Sequence, residues 1–301
     1  MEGSRRWVKE TLQWRQTVSP ASMSSPLILK WQDRDYLAMG YYINDFGRST
    51  RIQEGRACML SLDSGEELWS KFLRQDLVFG PAAALCQGRP LLFYATGDGV
   101  VCCLDARNGD LAWARPLDDR VRGCPSFLEL EEQQLVLVTS KWGMLWALDA
   151  EDGRIRWSYR SGHMADSSPA LAYLEGDPIL FFGSYDRCLH AVKGDSGKLL
   201  WKFETKATVL ASPAVAKMAG REVVFFSSMD DHIYCLSVAD GALLWSHETG
   251  SLPWPYFKRG DAVFGSPIVY GCKELTVMAH ACHDGEIRAF ASREDLKTQE
   301  E

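Results

Sequence analysis

Charged, aromatic and polar residues recur in short turns of this chain, where their side chains could bind a ligand. They lie in a series of turns and in the segments before recurring prolines: Phe79, Asp98, Arg122, Lys141, Trp142, Asp166, Tyr185, Asp186, Arg187, Asp230, Asp231, Phe264, His283 and Asp284. Carboxylates, cations and rings around one opening suit a polar small molecule or a peptide. A turn aspartate also hydrogen-bonds nearby backbone, so turn capping remains the alternative for each aspartate.

A second candidate site is the segment from Leu252 to Arg259, which reads LPWPYFKR. Its aromatic and cationic residues are Trp254, Tyr256, Phe257, Lys258 and Arg259. Because aromatic side chains and arginine are enriched at binding hot spots, we expect this segment to contact a partner. The alternative is a lid that packs over neighbouring elements. The polar segment INDFGRSTRIQEGRA adds Arg48, Arg51 and Arg56, with a solvated hairpin extension as its alternative.

Metal and catalytic signals are weak by comparison. Residues 280–285 read HACHDG, but on a strand His280 and Cys282 share one face whereas His283 points away. Three convergent ligands are therefore not expected, and we predict no metal site. The sequence has no G-x-S-x-G elbow, no P-loop and no G-x-G-x-x-G after a strand, so no catalytic residue is assigned. An acid–base pair such as Asp166 with His283 stays open as a hydrolase or lyase alternative.

A repeat determines which elements position these residues. Six tryptophans are separated by 55, 44, 44, 44 and 44 residues: Trp14, Trp69, Trp113, Trp157, Trp201 and Trp245. Six prolines recur in step with them: Pro26, Pro81, Pro125, Pro169, Pro213 and Pro267. A glycine stands four residues before each of the last five of these tryptophans. A period of about 40–45 residues is that of a four-stranded propeller blade, and we predict that the tryptophans pack between adjacent blades.

The repeat predicts an all-β fold, a six-bladed β-propeller of four-stranded antiparallel blades. In the clearest unit the predicted strands are Ala170–Tyr173, Ile179–Gly183, Cys188–Lys193 and Lys198–Phe203. The last unit ends near Phe290 without a fourth strand, whereas the chain begins with a single one, Thr11–Arg15. We expect this N-terminal strand to close the last blade. The predicted division is a tail at 1–10, one domain at 11–291 and a tail at 292–301.

The unit SSPALAYLEGDPILFFGSYDRCLHAVKGDSGKLLWKFET resembles the PQQ-like repeat of quinoprotein dehydrogenases. Similar blades build bacterial outer-membrane assembly propellers and a propeller appended to some acyl-adenylating enzymes. The quinoprotein resemblance implies pyrroloquinoline quinone (PQQ) with calcium as a cofactor alternative, but those enzymes have eight blades, and no cofactor is predicted here. Cys102-Cys103 resembles their vicinal disulfide, yet it lies inside an alternating strand, which argues against such a ring.

Two insertions interrupt the 44-residue period, one within 43–56 and one within 251–262. Antiparallel strands alternate in direction, so turns between second and third strands emerge on the same face as the connections between blades. If the ring closes as predicted, both insertions meet on this face. Because binding residues concentrate on loops of rigid scaffolds, this face is the predicted binding surface.

Composition limits the partners. The formal net charge is −7, and no long Lys/Arg cluster occurs, so we expect neither nucleic acid nor membrane as a partner. The N-terminus lacks a secretory apolar core, and a cytoplasmic protein is expected, either a monomer or part of a larger complex. The favoured function is a non-catalytic binding or scaffold propeller for a protein or a small polar ligand. A quinone-dependent oxidoreductase and an accessory module of acyl-adenylating or carrier-protein chemistry are the alternatives.

Overall fold

The computed structural model describes residues 25–44, 52–74, 76, 78–218, 220–249, 265–272, 275–281 and 286–293. Within these residues the chain forms 23 strands and no helix, and the strands build six antiparallel sheets. No helix with the length and apolar character of a membrane span occurs in this part of the chain. The all-β, six-bladed architecture predicted from the repeat is confirmed.

The strands of each blade pair in chain order, so that each blade is an antiparallel meander. Blade 1 contains β1 (Leu27–Trp31), β2 (Arg34–Asn44), β3 (Ile52–Ser61) and β4 (Glu67–Arg74). Blade 2 contains β5 (Val78–Cys86), β6 (Arg89–Thr96), β7 (Val100–Asp105) and β8 (Leu111–Pro116). Blade 3 contains β9 (Ser126–Glu129), β10 (Gln134–Thr139), β11 (Met144–Asp149) and β12 (Ile155–Arg160).

The second half of the ring repeats this plan. Blade 4 contains β13 (Ala170–Leu174), β14 (Asp177–Gly183), β15 (Cys188–Lys193) and β16 (Leu199–Glu204). Blade 5 contains β17 (Ala214–Met218), β18 (Arg221–Ser228), β19 (His232–Ser237) and β20 (Leu243–Glu248). Blade 6 shows three strands within the described residues: β21 (Ile268–Cys272), β22 (Leu275–Ala281) and β23 (Ile287–Arg293). The predicted closing strand, Thr11–Arg15, lies outside the described residues, so the closure stays a prediction.

The core consists of apolar layers between successive blades. Five hydrophobic clusters join blades 1 and 2, 2 and 3, 3 and 4, 4 and 5, and 5 and 6. Between blades 2 and 3, for example, the rings of Phe93 and Phe127 stack with their centroids 6.2 Å apart. Because every blade buries its faces only against its neighbours, the blades stabilise one another.

The repeated tryptophans link neighbouring blades, as predicted. Three indole N–H groups donate to a backbone carbonyl of the next blade: Trp69 to Ala106 at 2.8 Å, Trp113 to Ala150 at 2.9 Å and Trp201 to Val238 at 3.1 Å. The Trp157 indole packs on the turn of the next blade at Gly197, but its N–H has no hydrogen-bond partner among the described residues. A strand bulge repeats at the same place in blades 1 to 5, where the residue directly before the tryptophan has no partner in the register. The bulge bends the outer strand at this position.

Two physical constraints require glycine at this position of the repeat. Gly109 and Gly153 adopt φ angles of 71° and 70°, which side chains on other residues disfavour. A Cβ atom on either glycine would also lie 2.6 Å from the ring of the preceding blade's tryptophan, Trp69 or Trp113. The glycine therefore lets the indole lie directly on the turn of the next blade.

Replacing Trp69 by alanine tests this contact. Trp69 is 8% exposed, and the variant removes both the indole contacts and the hydrogen bond to Ala106. We expect a loss of about 3–5 kcal/mol in the free energy of unfolding, measured by urea titration with circular dichroism. The control is Trp142→Ala, since Trp142 is 63% exposed and its loss is expected to change stability by less than about 0.5 kcal/mol.

A second substitution tests the predicted closure. Trp14 lies outside the described residues, but Gly65 in blade 1 has a φ of 72°, like the glycines that receive the other tryptophans. If the N-terminal strand completes blade 6, Trp14→Ala should destabilise the ring about as much as Trp69→Ala in the same titration. A loss below about 1 kcal/mol would contradict closure by this strand.

Candidate binding face

One face of the ring carries the turns between second and third strands and the connections between blades. We call it the turn face; it comprises turns 97–99, 140–143, 184–187 and 229–231 and connections 117–125, 161–169 and 205–213. Backbone hydrogen bonds join three of these turns to the connection that precedes each: Lys141 N to Arg120 O at 2.7 Å, Tyr185 N to Met164 O at 2.8 Å and Met229 N to Thr208 O at 2.9 Å. These bonds hold the turn face on the rigid blades.

Two aspartates that the sequence predicted on this face, Asp186 and Asp230, accept hydrogen bonds from backbone amides of the protein itself. Asp186 accepts a hydrogen bond from the Gly162 amide at 2.8 Å, and Asp230 accepts one from the Lys206 amide at 2.9 Å. Asp186 also accepts from the Cys188 amide within its own turn at 3.1 Å. These carboxylates therefore cap their turns and join them to the preceding blade.

Asp98 has the corresponding position in blade 2. Burial alone would raise its pKa, but hydrogen bonds from the Thr96 hydroxyl and the Arg74 guanidinium outweigh burial, and the pKa is lowered. Arg74 Nη2 lies 2.6 Å from the carboxylate. The ionised carboxylate thus links β4 of blade 1 to the turn of blade 2.

Blade 3 departs from this pattern. Its turn carries Lys141 and Trp142, and Asp119 of the preceding connection supplies the carboxylate instead. Asp119 accepts hydrogen bonds from the Ser140 hydroxyl and from the Trp142 amide, the latter at 2.8 Å. The Trp142 side chain is left 63% exposed on the turn face. Sequence reasoning missed Asp119, although the lack of an aspartate in this turn was a signal that a carboxylate would come from elsewhere.

Blade 4 and its connection bring several predicted residues together. The Tyr185 hydroxyl donates to Asp166 Oδ2 at 3.1 Å, and the Tyr185 ring lies 6.0 Å from the ring of His163. Burial and the Asp166 carboxylate raise the pKa of Tyr185, whereas the Arg122 guanidinium lowers it. Asp166 Oδ1 is buried without a hydrogen-bond partner among the described residues. Tyr185 and Asp166 are themselves partly exposed, so this pair is a polar feature of the turn face.

Other predicted residues do not join this cluster or cannot be placed. Arg187 pairs with Glu204 of the same blade at 2.6 Å, and Arg56 binds Glu54 at 2.8 Å. His280 lies 2.7 Å from the Gly265 carbonyl. The remaining candidates lie outside the described residues: Arg48, Arg51, Trp254, Tyr256, Phe257, Lys258, Arg259, Phe264, His283 and Asp284.

The quinone and calcium that the quinoprotein resemblance implies would need a set of donors that the described residues do not offer at the Asp166 cluster. Calcium takes 6–8 oxygen ligands, whereas the cluster around Asp166 offers one carboxylate next to a phenol and the guanidinium of Arg122. Cys102 and Cys103 are free thiols in β7, where consecutive side chains point to opposite faces. This set of donors does not fit quinone with calcium.

The charge of Asp98 gives a pH-dependent prediction. We expect Asp98→Asn to lower the free energy of unfolding by about 1 kcal/mol at pH 7, since the bond to Arg74 is half-exposed. Because folding lowers this pKa, the stabilisation exists above about pH 4 and is lost as the pH falls through the folded-state value. The difference from wild type should therefore shrink below about pH 4, as measured by urea titration across pH. The exposed neighbour Asp118→Asn is the control, and a difference that is independent of pH would contradict the account.

Comparisons with known proteins agree with this architecture. The chain is similar to BamB from Moraxella catarrhalis, with 16% identity over 95% of this chain and 81% of that chain and a TM-score of 0.63. A europium-containing methanol dehydrogenase gives 12% identity, 94% and 73% coverage and a TM-score of 0.62. Quinohemoprotein alcohol dehydrogenase from Comamonas testosteroni gives 14% identity, 80% and 45% coverage and a TM-score of 0.55. At these identities the likeness concerns the fold alone.

The search of curated protein sequences found no match. A family model described as outer membrane protein assembly factor BamB matches residues 53–177 and 165–293. Because these two matches span more than half of the chain, the protein belongs to this family of PQQ-like β-propellers.

Proposed function

We propose that this protein is a non-catalytic binding propeller that recognises an acidic segment of a partner protein on its turn face, as a subunit of a larger complex. The observation that carries the proposal is the exposed indole of Trp142 among cationic side chains. The BamB description of the matching family, an assembly factor, agrees with a role in a protein complex.

The first step of the argument is the exposure of Trp142. A tryptophan that is 63% exposed leaves a large apolar surface in water, and a partner would gain free energy by covering it. The Trp142 backbone is already fixed by the hydrogen bond to Asp119, so binding costs little further backbone conformational entropy. Tryptophan and arginine are the residues most enriched at interface hot spots.

The second step is the charge around this indole. Lys141 is adjacent in the turn, and Arg120 and Arg122 are exposed in the connection that the turn contacts. None of the three forms an ion pair with a described residue. These three cations outnumber the two carboxylates of the same connection, Asp118 and Asp119. In a chain of net charge −7, such a local excess of positive charge would attract an acidic partner segment.

The third step concerns polar recognition next to this surface. Tyr185 and Asp166 form a hydrogen-bonded pair next to Arg122, and both residues are partly exposed. A bound segment could donate a backbone N–H to the oxygen of the Tyr185 hydroxyl. An apolar anchor at Trp142 and a polar contact at Tyr185 would together fix its orientation.

A peptide library displayed on phage tests this proposal on the full chain. Selection on the wild-type protein is expected to enrich sequences that combine acidic with aromatic or aliphatic residues. A synthetic peptide of the leading sequence should bind Trp142→Ala at least about 30-fold more weakly, the loss of one hot spot, as measured by calorimetry. The matched control is Tyr173→Ala, a half-exposed tyrosine near the opposite face, which should retain binding. Equal affinity for both variants would contradict the proposal.

The insertion that contains Leu252–Arg259 gives a separate test. Since both insertions are predicted on the binding face, replacing Leu252–Arg259 by a four-residue turn should weaken binding of the same peptide while the circular dichroism spectrum stays unchanged. If affinity is retained with a folded ring, this segment is not part of the binding surface.

A further inference from the structure

Three potential metal ligands of different chemistry converge in blade 4. Asp186 precedes β15, and Cys188 and His190 follow at alternate positions, so their side chains lie on one face of the strand. One ligand atom from each residue lies within 4.8 Å of the other two. Carboxylate oxygen, thiolate sulfur and imidazole nitrogen are the three donor types that zinc uses in proteins.

His190 is held in the orientation that a metal ligand requires. Its side chain is 2% exposed, its ring stacks on Phe182, and its Nδ1 lies 3.0 Å from the Tyr159 hydroxyl oxygen. Its Nε2 faces Asp186 Oδ2 at 3.0 Å. A metal-binding histidine characteristically has its second ring nitrogen held by such a hydrogen bond. When Nδ1 carries the proton, it donates a hydrogen bond to the Tyr159 hydroxyl oxygen, and the Nε2 lone pair faces the carboxylate of Asp186. A cation bound by both Nε2 and the carboxylate would remove the repulsion between these two groups.

The other blades show that the fold does not require this combination. The position of Cys188 is occupied by Val100, Met144 and His232 in blades 2, 3 and 5, and the position of His190 by Cys102, Trp146 and Tyr234. In blade 5, Tyr234 binds Asp230 directly at 2.8 Å and provides the contact that His190 makes with Asp186. The aspartate therefore belongs to the repeated turn, whereas the cysteine and the histidine are particular to blade 4.

We propose that Asp186, Cys188 and His190 bind one Zn²⁺ ion, with Tyr159 as the positioning residue for His190. Three protein ligands leave a fourth tetrahedral position for water. Asp186 is the most exposed of the three ligands at 17%, so we expect an ion to enter past its carboxylate. Binding releases the thiol proton of Cys188, because zinc binds the thiolate. The site does not depend on the proposed peptide-binding function.

Isothermal titration of the tag-free, chelator-treated full chain with Zn²⁺ tests the proposal. The expected result is binding of one equivalent, which is lost in both Cys188→Val and His190→Tyr. Each variant introduces the residue that another blade already holds at that position, so folding should be retained, as checked by circular dichroism. His232→Gln in blade 5 is the control and should bind one equivalent. Absence of binding to wild type, or retention of the wild-type affinity and stoichiometry by either ligand variant, would overturn the site.

Co²⁺ as a spectroscopic probe identifies the ligands independently. A thiolate ligand gives Co²⁺ an intense charge-transfer absorption in the near ultraviolet, expected in wild type and absent in Cys188→Val. Tyr159→Phe keeps the ring but removes the hydroxyl, and it should weaken Zn²⁺ binding about 10–100-fold without loss of the thiolate band. A wild-type spectrum without that band would exclude Cys188 and overturn the three-residue assignment.

Discussion

The contact of a repeated tryptophan with the glycine turn of the next blade, described for four of the six, is the interaction on which the ring depends. A single blade cannot bury both of its faces, so stability comes from the surfaces between blades. The indole of Trp69 covers the turn at Gly109 and donates a hydrogen bond to Ala106. The packing recurs at Gly153, Gly197 and Gly241, and the hydrogen bond recurs at Trp113 and Trp201. The requirement for a flat ring against a backbone turn explains why tryptophan and glycine keep one spacing along the chain.

A rigid ring has consequences for the turn face. The turns are joined to the connections by backbone hydrogen bonds and, in blades 4 and 5, by the carboxylates of Asp186 and Asp230. In turns that keep the repeated aspartate, its carboxylate makes structural hydrogen bonds. Positions that depart from the repeat carry side chains that these bonds do not need. The Trp142 indole is exposed in blade 3, and Cys188 and His190 lie next to Asp186 in blade 4.

The fold followed from the sequence because its determinants repeat. The predicted strand Cys188–Lys193 is confirmed at both ends, and the fourth strand of that blade, predicted at Lys198–Phe203, is observed at Leu199–Glu204. Periodicity also supported a structural role for the turn aspartates. The missing aspartate in turn 140–143 signalled a replacement, but periodicity could not identify Asp119 as its source, nor could it reveal the Tyr159–His190 bond. Each of these contacts occurs at one place in the ring and has no counterpart in the other described blades. Contacts of this kind depend on three-dimensional packing rather than on spacing.

Amide hydrogen exchange, followed by mass spectrometry, tests most directly the claim that partners bind on the turn face at blade 3. The protein would be compared alone and saturated with an acidic peptide ligand. The account predicts slower exchange in connection 117–125 and turn 140–143, with no change in the hairpin turn 175–176 on the opposite face. Protection at 175–176, with unchanged exchange at 140–143, would contradict it.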